Sequence, residues 1–137
     1  MDHVAIMSSD EWIDKIISGE KTIESRWTKN KISPFERIAR GDRIYFKVSG
    51  KPVSAVATAS EACFYLLTPA KARELLQKHC KQIGTDLSYY EKIKDKKYCT
   101  LIKIKEARRI TPFGINKKGF GNSVAWLSVE NINKIRI

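Results

Sequence analysis

The spacing of hydrophobic residues in the first third of the chain predicts a strand, a helix and a second strand. Residues 3–7 form a short apolar run that is typical of a buried strand. The next apolar residues recur at helical spacing, and they are Trp12, Ile13, Ile16 and Ile17. Ser8 and Glu11 have the spacing of a capping box, so the helix is predicted to begin there. Gly19 follows where a left-handed helix end belongs, and residues 22–27 then alternate as a strand does.

The rest of the chain predicts further short strands with helices inserted between them. Residues 43–48 and 53–62 are predicted to form a hairpin around the turn at 49–52. The other predicted elements are a helix from Thr68–Pro69, a short helix over 86–94 with Leu87 facing inward, a strand over 98–109, a loop over 111–123, and short strands over 124–127 and 132–137. The expected fold class is α+β, with a small, partly open β-barrel of five to seven strands and two or three helices in a single domain over residues 1–137.

The charge of the chain is the first indication of a partner. Among 137 residues there are 26 basic and 15 acidic side chains, which gives a net charge of +11. A charge of this size on a small domain favours polyanions, through contacts with phosphate groups and release of counterions. A basic surface that only keeps the protein soluble is the alternative. The longest weakly polar stretch, 53–67, is too short and too polar for a bilayer span, so we expect neither a membrane span nor a signal peptide.

The cysteines and histidines do not have the spacing of a metal site. The odd number and wide separation of Cys63, Cys80 and Cys99 argue against a disulfide framework. His3 and His79 do not complete a ligand set with them. No nucleotide-phosphate loop or dinucleotide motif is present, so the sequence predicts no metal and no cofactor. We expect free thiols and a cytoplasmic location.

The candidate chemistry is concentrated just after the first helix, in the segment GEKTIESRW. Gly19 lets the chain leave that helix sharply, so Lys21 is expected to lie at the junction with the next strand. Glu24 and Arg26 are two residues apart and share a face of that strand. A cation, an anion and a planar fork of donors suit recognition of a base edge or a phosphate. The alternative is an ordinary ion pair on a solvated face.

Two aromatic residues near this segment are candidate stacking surfaces for a base. They are Trp27 and Phe35. Trp27 shares a strand face with Ile23, so the alternative interpretation places its ring in the core.

The segment Gly19 to Arg26 fits the pattern G-x-K-x-x-E-x-R and resembles the ASCH domain family, a branch of the PUA-like fold. The turn Gly41-Asp42 that leads into a strand belongs to the same resemblance. The similarity covers residues 12–48 by motif and 3–110 by the order of elements. It implies a PUA-like barrel with a cleft that binds RNA or a nucleotide, lined by Lys21, Glu24 and Arg26.

A smaller subset of that family is enzymatic, and it cleaves acyl groups from modified cytidine with a lysine, a threonine and a glutamate. Lys21 matches the lysine, but Glu24 stands at the threonine position, and no acid occurs around Ile83. A hydrolase of a modified nucleoside or RNA, with Lys21 as nucleophile or base and Glu24 as its acid/base partner, is therefore the alternative function. A small-ligand or protein-interaction domain is the third.

Further basic residues are candidates to extend the nucleic-acid surface beyond the motif, and the alternatives are a flexible charged loop near the C-terminus and ordinary surface side chains on the hairpin. Arg108, Arg109, Lys117 and Lys118 flank glycines and phenylalanines near the C-terminus. Lys47 lies on the early hairpin, beside Arg37, Arg40, Arg43 and Lys51. The lysine run over 92–97 is interpreted as a solvated helix end. The predicted nucleic-acid or ligand contacts are Lys21, Glu24, Arg26, Trp27, Phe35, Lys47, Lys117 and Lys118.

Overall fold

The computed structural model describes residues 1–121 and 124–137, and its six strands form one mixed sheet. The strands are β1 (Asp2–Met7), β2 (Ile23–Thr28), β3 (Arg43–Val48), β4 (Val53–Leu66), β5 (Tyr98–Phe113) and β6 (Trp126–Val129). Their order across the sheet is β2-β5-β4-β3-β1-β6. β1 and β3 are parallel, and the other neighbouring strands are antiparallel. The sheet curls into a half-barrel, so the predicted α+β class and the partly open barrel are confirmed.

Irregularities in the long strands β4 and β5 are what bend the sheet. The pairing register shifts three times along β4, between Val53 and Ala55, between Val56 and Thr58, and between Ala59 and Glu61. Each such bulge increases the local twist and bends the strand. The curl brings β2, at one edge of the sheet, towards β1 and β6 at the other edge.

Three helices cover the sheet, and they are α1 (Asp10–Ser18), α2 (Pro69–Ile83) and α3 (Tyr90–Ile93). Gly19 ends α1 in the left-handed conformation with φ of 82°, as predicted. Thr68 caps α2 as predicted, because its side chain accepts a hydrogen bond from the backbone N–H of Lys71. The predicted capping box of α1 is wrong. Ser9 occupies the N-cap position and makes no side-chain cap hydrogen bond.

The hydrophobic core consists of three clusters, and the face of the sheet from which a side chain projects decides which cluster it joins. Ile44 and Phe46 of β3 pack with Ile13 and Ile16 of α1 in one cluster. Tyr45, which alternates with them, faces the other way and packs with residues of β1, β4, β5 and β6. A third cluster holds α2 against β2 and β5. The hydrophobic alternation along β3 therefore separates an inner face, covered by α1, from an outer face.

Two sequence predictions about the second half of the chain are wrong. Leu87 was expected to face inward, but it lies in a 3₁₀ turn (Leu87–Tyr89) and is 54% exposed. Residues 132–137 were expected to form a strand, but Ile132–Lys134 is a 3₁₀ turn, whose N-cap Asn131 accepts a hydrogen bond from the backbone N–H of Asn133. At 132–134 the Asn131 cap favours a turn over extended structure, and at 87–89 the Asp86 cap begins a 3₁₀ turn in place of the predicted α-helix, which changes the side to which Leu87 points. The predicted loop over 111–123 overlaps the end of β5, and its positions 122 and 123 lie outside the described residues.

A buried polar network joins the two strands at the β6 edge to the turn before β3. His3 is fully buried on β1, and its Nδ1 atom lies 2.9 Å from Ser128 Oγ. Trp126 Nε1–H donates to the same Nδ1 atom at 3.0 Å, and His3 Nε2 lies 2.9 Å from Asp42 Oδ2. Because Nδ1 accepts from Trp126, the proton of the neutral ring is on Nε2. Burial lowers the pKa of His3 below its ordinary value, against the opposing effect of Asp42.

We expect the free energy of unfolding to fall as the pH is lowered from 6.5 to 5. Below about pH 6.5, His3 becomes protonated in the unfolded chain but stays neutral in the folded protein, where its pKa is lowered. The free energy of unfolding therefore falls by up to about 1.4 kcal/mol per pH unit. Urea denaturation at intervals across this range tests it. The measurement is made in a His79→Gln background, because the pKa of His79 is also lowered by burial. A free energy of unfolding that does not change between pH 6.5 and 5 would contradict this prediction.

Candidate functional site

A cleft of about 440 Å³ lies between the start of α1, strand β2 and the connection from α2 to α3. Its floor carries Lys21, Glu24 and Arg26, and its two walls carry Met7, Ser8 and Trp12 on the α1 side and Ile83, Thr85, Tyr89, Lys92 and Lys96 on the other. The three charged residues of the motif are therefore brought together, as the sequence predicted.

Lys21 is held at the junction of three elements. Its backbone N–H donates to the carbonyl of Lys15 near the end of α1, at 2.9 Å. Its side chain is 3% exposed, and Nζ donates to the carbonyls of Ile23 at 2.9 Å and Ile83 at 2.7 Å. The third partner of Nζ is Glu24 Oε1 at 3.3 Å. All three donors of the ammonium group are thus engaged by protein acceptors.

Glu24 is a buried carboxylate between two cations. Oε1 accepts from the backbone N–H of Ser25 at 3.1 Å as well as from Lys21, and Oε2 accepts from Arg26 Nη2 at 3.1 Å. Burial opposes ionisation of Glu24, but the charges of Lys21 and Arg26 outweigh it and hold its pKa below the ordinary value. A carboxylate offers about four acceptor positions and three are used here, so the count leaves one, on a side chain that lines the cleft but is only 4% exposed.

Arg26 connects the two edges of the half-barrel. From β2, its Nη1 donates to the carbonyl of Ala125 at 3.2 Å and its Nη2 to the carbonyl of Ile6 at 3.4 Å. The guanidinium also lies over the Trp126 ring, 5.1 Å from its centre. Arg26 closes the seam between β2 and the β1–β6 edge. It also forms a wall of a second cleft, of about 470 Å³, which Arg37 lines too.

The geometry of the cleft is better suited to binding a ligand than to nucleophilic attack on a substrate by Lys21. Burial lowers the pKa of Lys21, while Glu24 raises it. A nucleophilic amine needs a free lone pair directed at the substrate, and the three acceptors around Nζ instead favour the protonated, fixed form. Glu24, with its lowered pKa, is ionised at neutral pH and has no proton to donate.

Solved structures match almost the whole chain, whereas no protein-family model and no curated protein matches its sequence. ASCH from Zymomonas mobilis matches with a TM-score of 0.70 and 16% identity over 94% of this chain and 87% of that one. A tyrosine-to-phenylalanine mutant of the same protein gives 0.72 and 16%, over 97% and 93%. The chain has the ASCH fold. A hypothetical protein, PH0355, matches with a TM-score of 0.54 and 22% identity over 80% of this chain and 100% of that one.

The fold implied by the GEKTIESRW resemblance is therefore confirmed. At sequence identities below 25%, these similarities establish a shared fold.

Within the ASCH fold, the predicted aromatic contacts lie largely in the core. Trp27 is 8% exposed, packs in the cluster beneath α2, and donates from Nε1 to Ser25 Oγ at 2.9 Å. One edge of Trp27 reaches the cleft. Phe35 is buried edge-on against Phe64 and Tyr98, with ring centres 5.5 and 5.0 Å away, and it does not line the cleft.

The remaining predicted contacts lie elsewhere on the ASCH fold. Lys47 projects from β3 on the face opposite to Phe46 and Val48, which pack towards α1. Lys117 lies near it, in the loop after β5, and Lys118 is exposed beside Lys117. None of these three lysines lines the cleft around Lys21.

The sequence interpretation missed both walls of the cleft, and the aromatic and basic residues among those it missed are Trp12, Tyr89, Lys92 and Lys96. Trp12 was assigned to the buried stripe of α1, and the lysine run was assigned to a solvated helix end. A signal was present, because Tyr89, Lys92 and Lys96 recur three and four residues apart and therefore share one side of a helical segment. The sequence did not show which side of this helical segment faces β2.

Residues 1–121 and 124–137 contain neither a membrane-spanning helix nor a cluster of metal ligands. Within that part of the chain, no helix is long and apolar enough to cross a membrane. The same residues contain no group of three or more His, Cys, Asp or Glu side chains placed to hold a metal ion.

Proposed function

We propose that the cleft around Lys21, Glu24 and Arg26 binds a nucleotide unit of single-stranded RNA. The observation that supports this most is the ionised Glu24 on the cleft floor, with one acceptor position free between two fixed cations. RNA is favoured over DNA because domains with PUA-like folds usually recognise RNA by shape and unstacked bases.

The floor of the cleft suits the edge of a nucleobase. Exocyclic amino and ring imino groups of bases are donors, and Glu24 offers an acceptor held in place by Lys21 and Arg26. Trp12 and Tyr89 line opposite sides and give the cleft aromatic walls, with the ammonium groups of Lys21 and Lys92 over their rings at 5.3 and 5.8 Å. The volume of about 440 Å³ is within the range of small-molecule sites.

The rim of the cleft suits a phosphate. Lys92 and Lys96 line the wall beyond the floor, and neither forms an ion pair with a carboxylate in the part of the chain that the structure describes. Lys94, between them in sequence, is paired with Glu91 at 2.8 Å and does not line the cleft. Lys92 and Lys96 are therefore cations at the cleft that no carboxylate of the described residues neutralises.

The double variant Lys92→Gln/Lys96→Gln is expected to weaken binding of a single-stranded RNA oligonucleotide by about tenfold at low salt, because it removes two phosphate contacts from the rim. Fluorescence anisotropy titrations at 50 and 200 mM salt measure the effect. The loss should be larger at the lower salt concentration.

The matched control is Lys94→Gln/Lys97→Gln, which removes the same charge from the same segment but from side chains outside the cleft. It should change affinity by less than about threefold. Equal losses in the two double variants would show that only overall charge matters. Absence of RNA binding by the wild type even at 50 mM salt would overturn the proposal, and binding of a mononucleotide without RNA would instead indicate a small-ligand domain.

We also propose a cytoplasmic location, on the basis of three free thiols. Cys63, Cys80 and Cys99 form no disulfide with one another, and free thiols are typical of reducing compartments. Thiol titration of denatured protein, purified from its native source without reductant, should find three reactive groups, and fewer would contradict this.

A further inference from the structure

A cluster of cations lies on the outer face of the sheet, away from the cleft. We call it the outer patch, and it consists of Lys47 on β3, Arg108 on β5, Lys117 in the following loop and Arg136 near the C-terminus. None of these residues lines the cleft around Lys21. The outer patch is therefore a separate surface.

Strand pairing places the members of the outer patch side by side. Arg108 pairs with Val56, which pairs with Tyr45, and this row crosses β5, β4 and β3. A parallel row runs from Phe113 through Val53 to Lys47. Directly paired residues project from the same face of a sheet. Arg108 and Lys47 therefore stand at opposite ends of one shared surface.

The C-terminal segment adds Arg136 to this surface and fixes it there. The Arg136 guanidinium lies over the Phe113 ring, 4.2 Å from its centre. The backbone around it is tied to the loop by hydrogen bonds from Asn116 N–H to the Ile135 carbonyl, at 2.8 Å, and from Ile137 N–H to the Gly114 carbonyl, at 2.9 Å. Arg136 and Arg108 line the same shallow groove of about 250 Å³.

The cations of the outer patch differ from their neighbours in having no acidic partner. Next to Arg108, Arg109 is paired with Asp14. Lys51, in the turn after β3, is paired with Asp10 at 3.2 Å. No carboxylate lies within 4 Å of any outer-patch cation among the described residues. Lys117 stands close enough to Lys47 to contribute, after burial, to lowering its pKa. Like charges held together without counter-charges raise the energy of the free protein and are relieved by an anionic ligand.

The groove suits phosphate groups better than a base. The Phe113 ring already carries Arg136 on one face and Tyr45 edge-on at 5.9 Å, so stacking positions are occupied. What remains accessible is the exposed guanidinium groups of Arg108 and Arg136 and the half-buried ammonium group of Lys117, whereas Lys47 is only 5% exposed. Such donors contact a phosphate backbone without reading sequence.

We propose that the outer patch is a second RNA-contacting surface, which binds backbone phosphates of a strand longer than the cleft accommodates. This inference rests on the proposed RNA-binding function of the cleft. The cleft selects a nucleotide, and the outer patch adds affinity that is independent of sequence and sensitive to salt.

The test compares the wild-type protein with the triple variant Arg108→Gln/Lys117→Gln/Arg136→Gln, using fluorescent oligouridines of 4 and 20 nucleotides. Each phosphate contact on a single strand contributes about 0.7 to the slope of log K against log salt. The triple variant is therefore expected to lower the slope for the long RNA by about 2 and its affinity at least tenfold at low salt. Binding of the 4-nucleotide RNA should stay within about twofold.

The matched control is Lys51→Gln/Arg109→Gln/Lys134→Gln, which removes three cations that already have acidic partners. Its effect on the slope should be below 1. Because Lys47 is only 5% exposed, the single variant Lys47→Gln should lower the slope by less than a full contact of about 0.7. Urea denaturation confirms that each variant is folded.

Equal effects of the two triple variants on the long RNA would overturn the outer patch while leaving the cleft proposal intact, provided that the short RNA binds. No binding of either RNA would overturn both. If the triple variant lost the binding of the wild type to vesicles of anionic phospholipid but bound RNA unchanged, the partner of the outer patch would be a membrane surface. That result would also overturn the inference.

Discussion

Replacement of Lys21 by methionine is expected to lower the free energy of unfolding by about 3–5 kcal/mol. The ammonium group of Lys21 is buried, and its removal leaves Glu24 with one cation instead of two. The carbonyls of Ile23 and Ile83 lose a donor at the same time. Breaking a buried pair by removing one partner is costly because the remaining charge stays desolvated. Urea denaturation at pH 7 measures the change.

Two further variants separate this effect from a simple loss of charge or packing. Lys15→Met removes a half-exposed lysine, 3.9 Å from Glu11, and should cost less than about 0.5 kcal/mol. Lys21→Met/Glu24→Gln removes both charges but also takes the carboxylate from Arg26, so it should be less stable than Lys21→Met, in which Glu24 and Arg26 remain paired. A loss below 1 kcal/mol for Lys21→Met would mean that the ammonium group is not held as the structure shows.

Replacement of Arg26 by methionine is expected to cost about 2–3 kcal/mol and to loosen the seam of the half-barrel. The variant loses the charged donors to the carbonyls of Ala125 and Ile6 and the contact with the Trp126 ring. It also leaves Glu24 with Lys21 alone. Hydrogen exchange reports the local part of this effect. The amide of Ile6, which donates to the Ala125 carbonyl at 3.0 Å, should exchange at least tenfold faster than the global destabilisation requires.

The conservative variant Arg26→Lys tests the need for the planar fork. A lysine keeps the charge but has a single nitrogen, which cannot reach Glu24 and the Ala125 carbonyl together. It should recover less than half of the stability lost in Arg26→Met. The amide of Leu67, which donates to the Lys97 carbonyl at 2.8 Å far from the seam, serves as the reference. Uniform acceleration at Ile6 and Leu67 would contradict a role in closing the seam.

Local chemistry was enough to predict the elements that lead into the site. The glycine after α1, the threonine and proline that start α2, and the alternation along β3 each act within a few residues, so the sequence determines them directly. The grouping of Lys21, Glu24 and Arg26 followed from their spacing on a strand and the turn before it.

The walls of the cleft were not predictable in the same way. The Ile83 carbonyl that holds Lys21 lies 62 positions further along the chain, and nothing local in either segment records the contact. Lys92 and Lys96 acquire their role only because α2 packs on β2 and turns the following segment towards the floor. The same holds for Arg26, whose partners Ile6 and Ala125 meet it only after the sheet has curled.

The complete engagement of the Lys21 ammonium group has a consequence for mutational scanning. Because the residue that anchors the proposed recognition site also ties the end of α2 to β2, most substitutions at Lys21 or Glu24 will reduce the amount of folded protein before they alter binding. A scan scored by abundance and one scored by RNA capture will therefore show the same intolerant positions across the motif. Only the rim lysines, which contribute little to the fold, will separate the two scores.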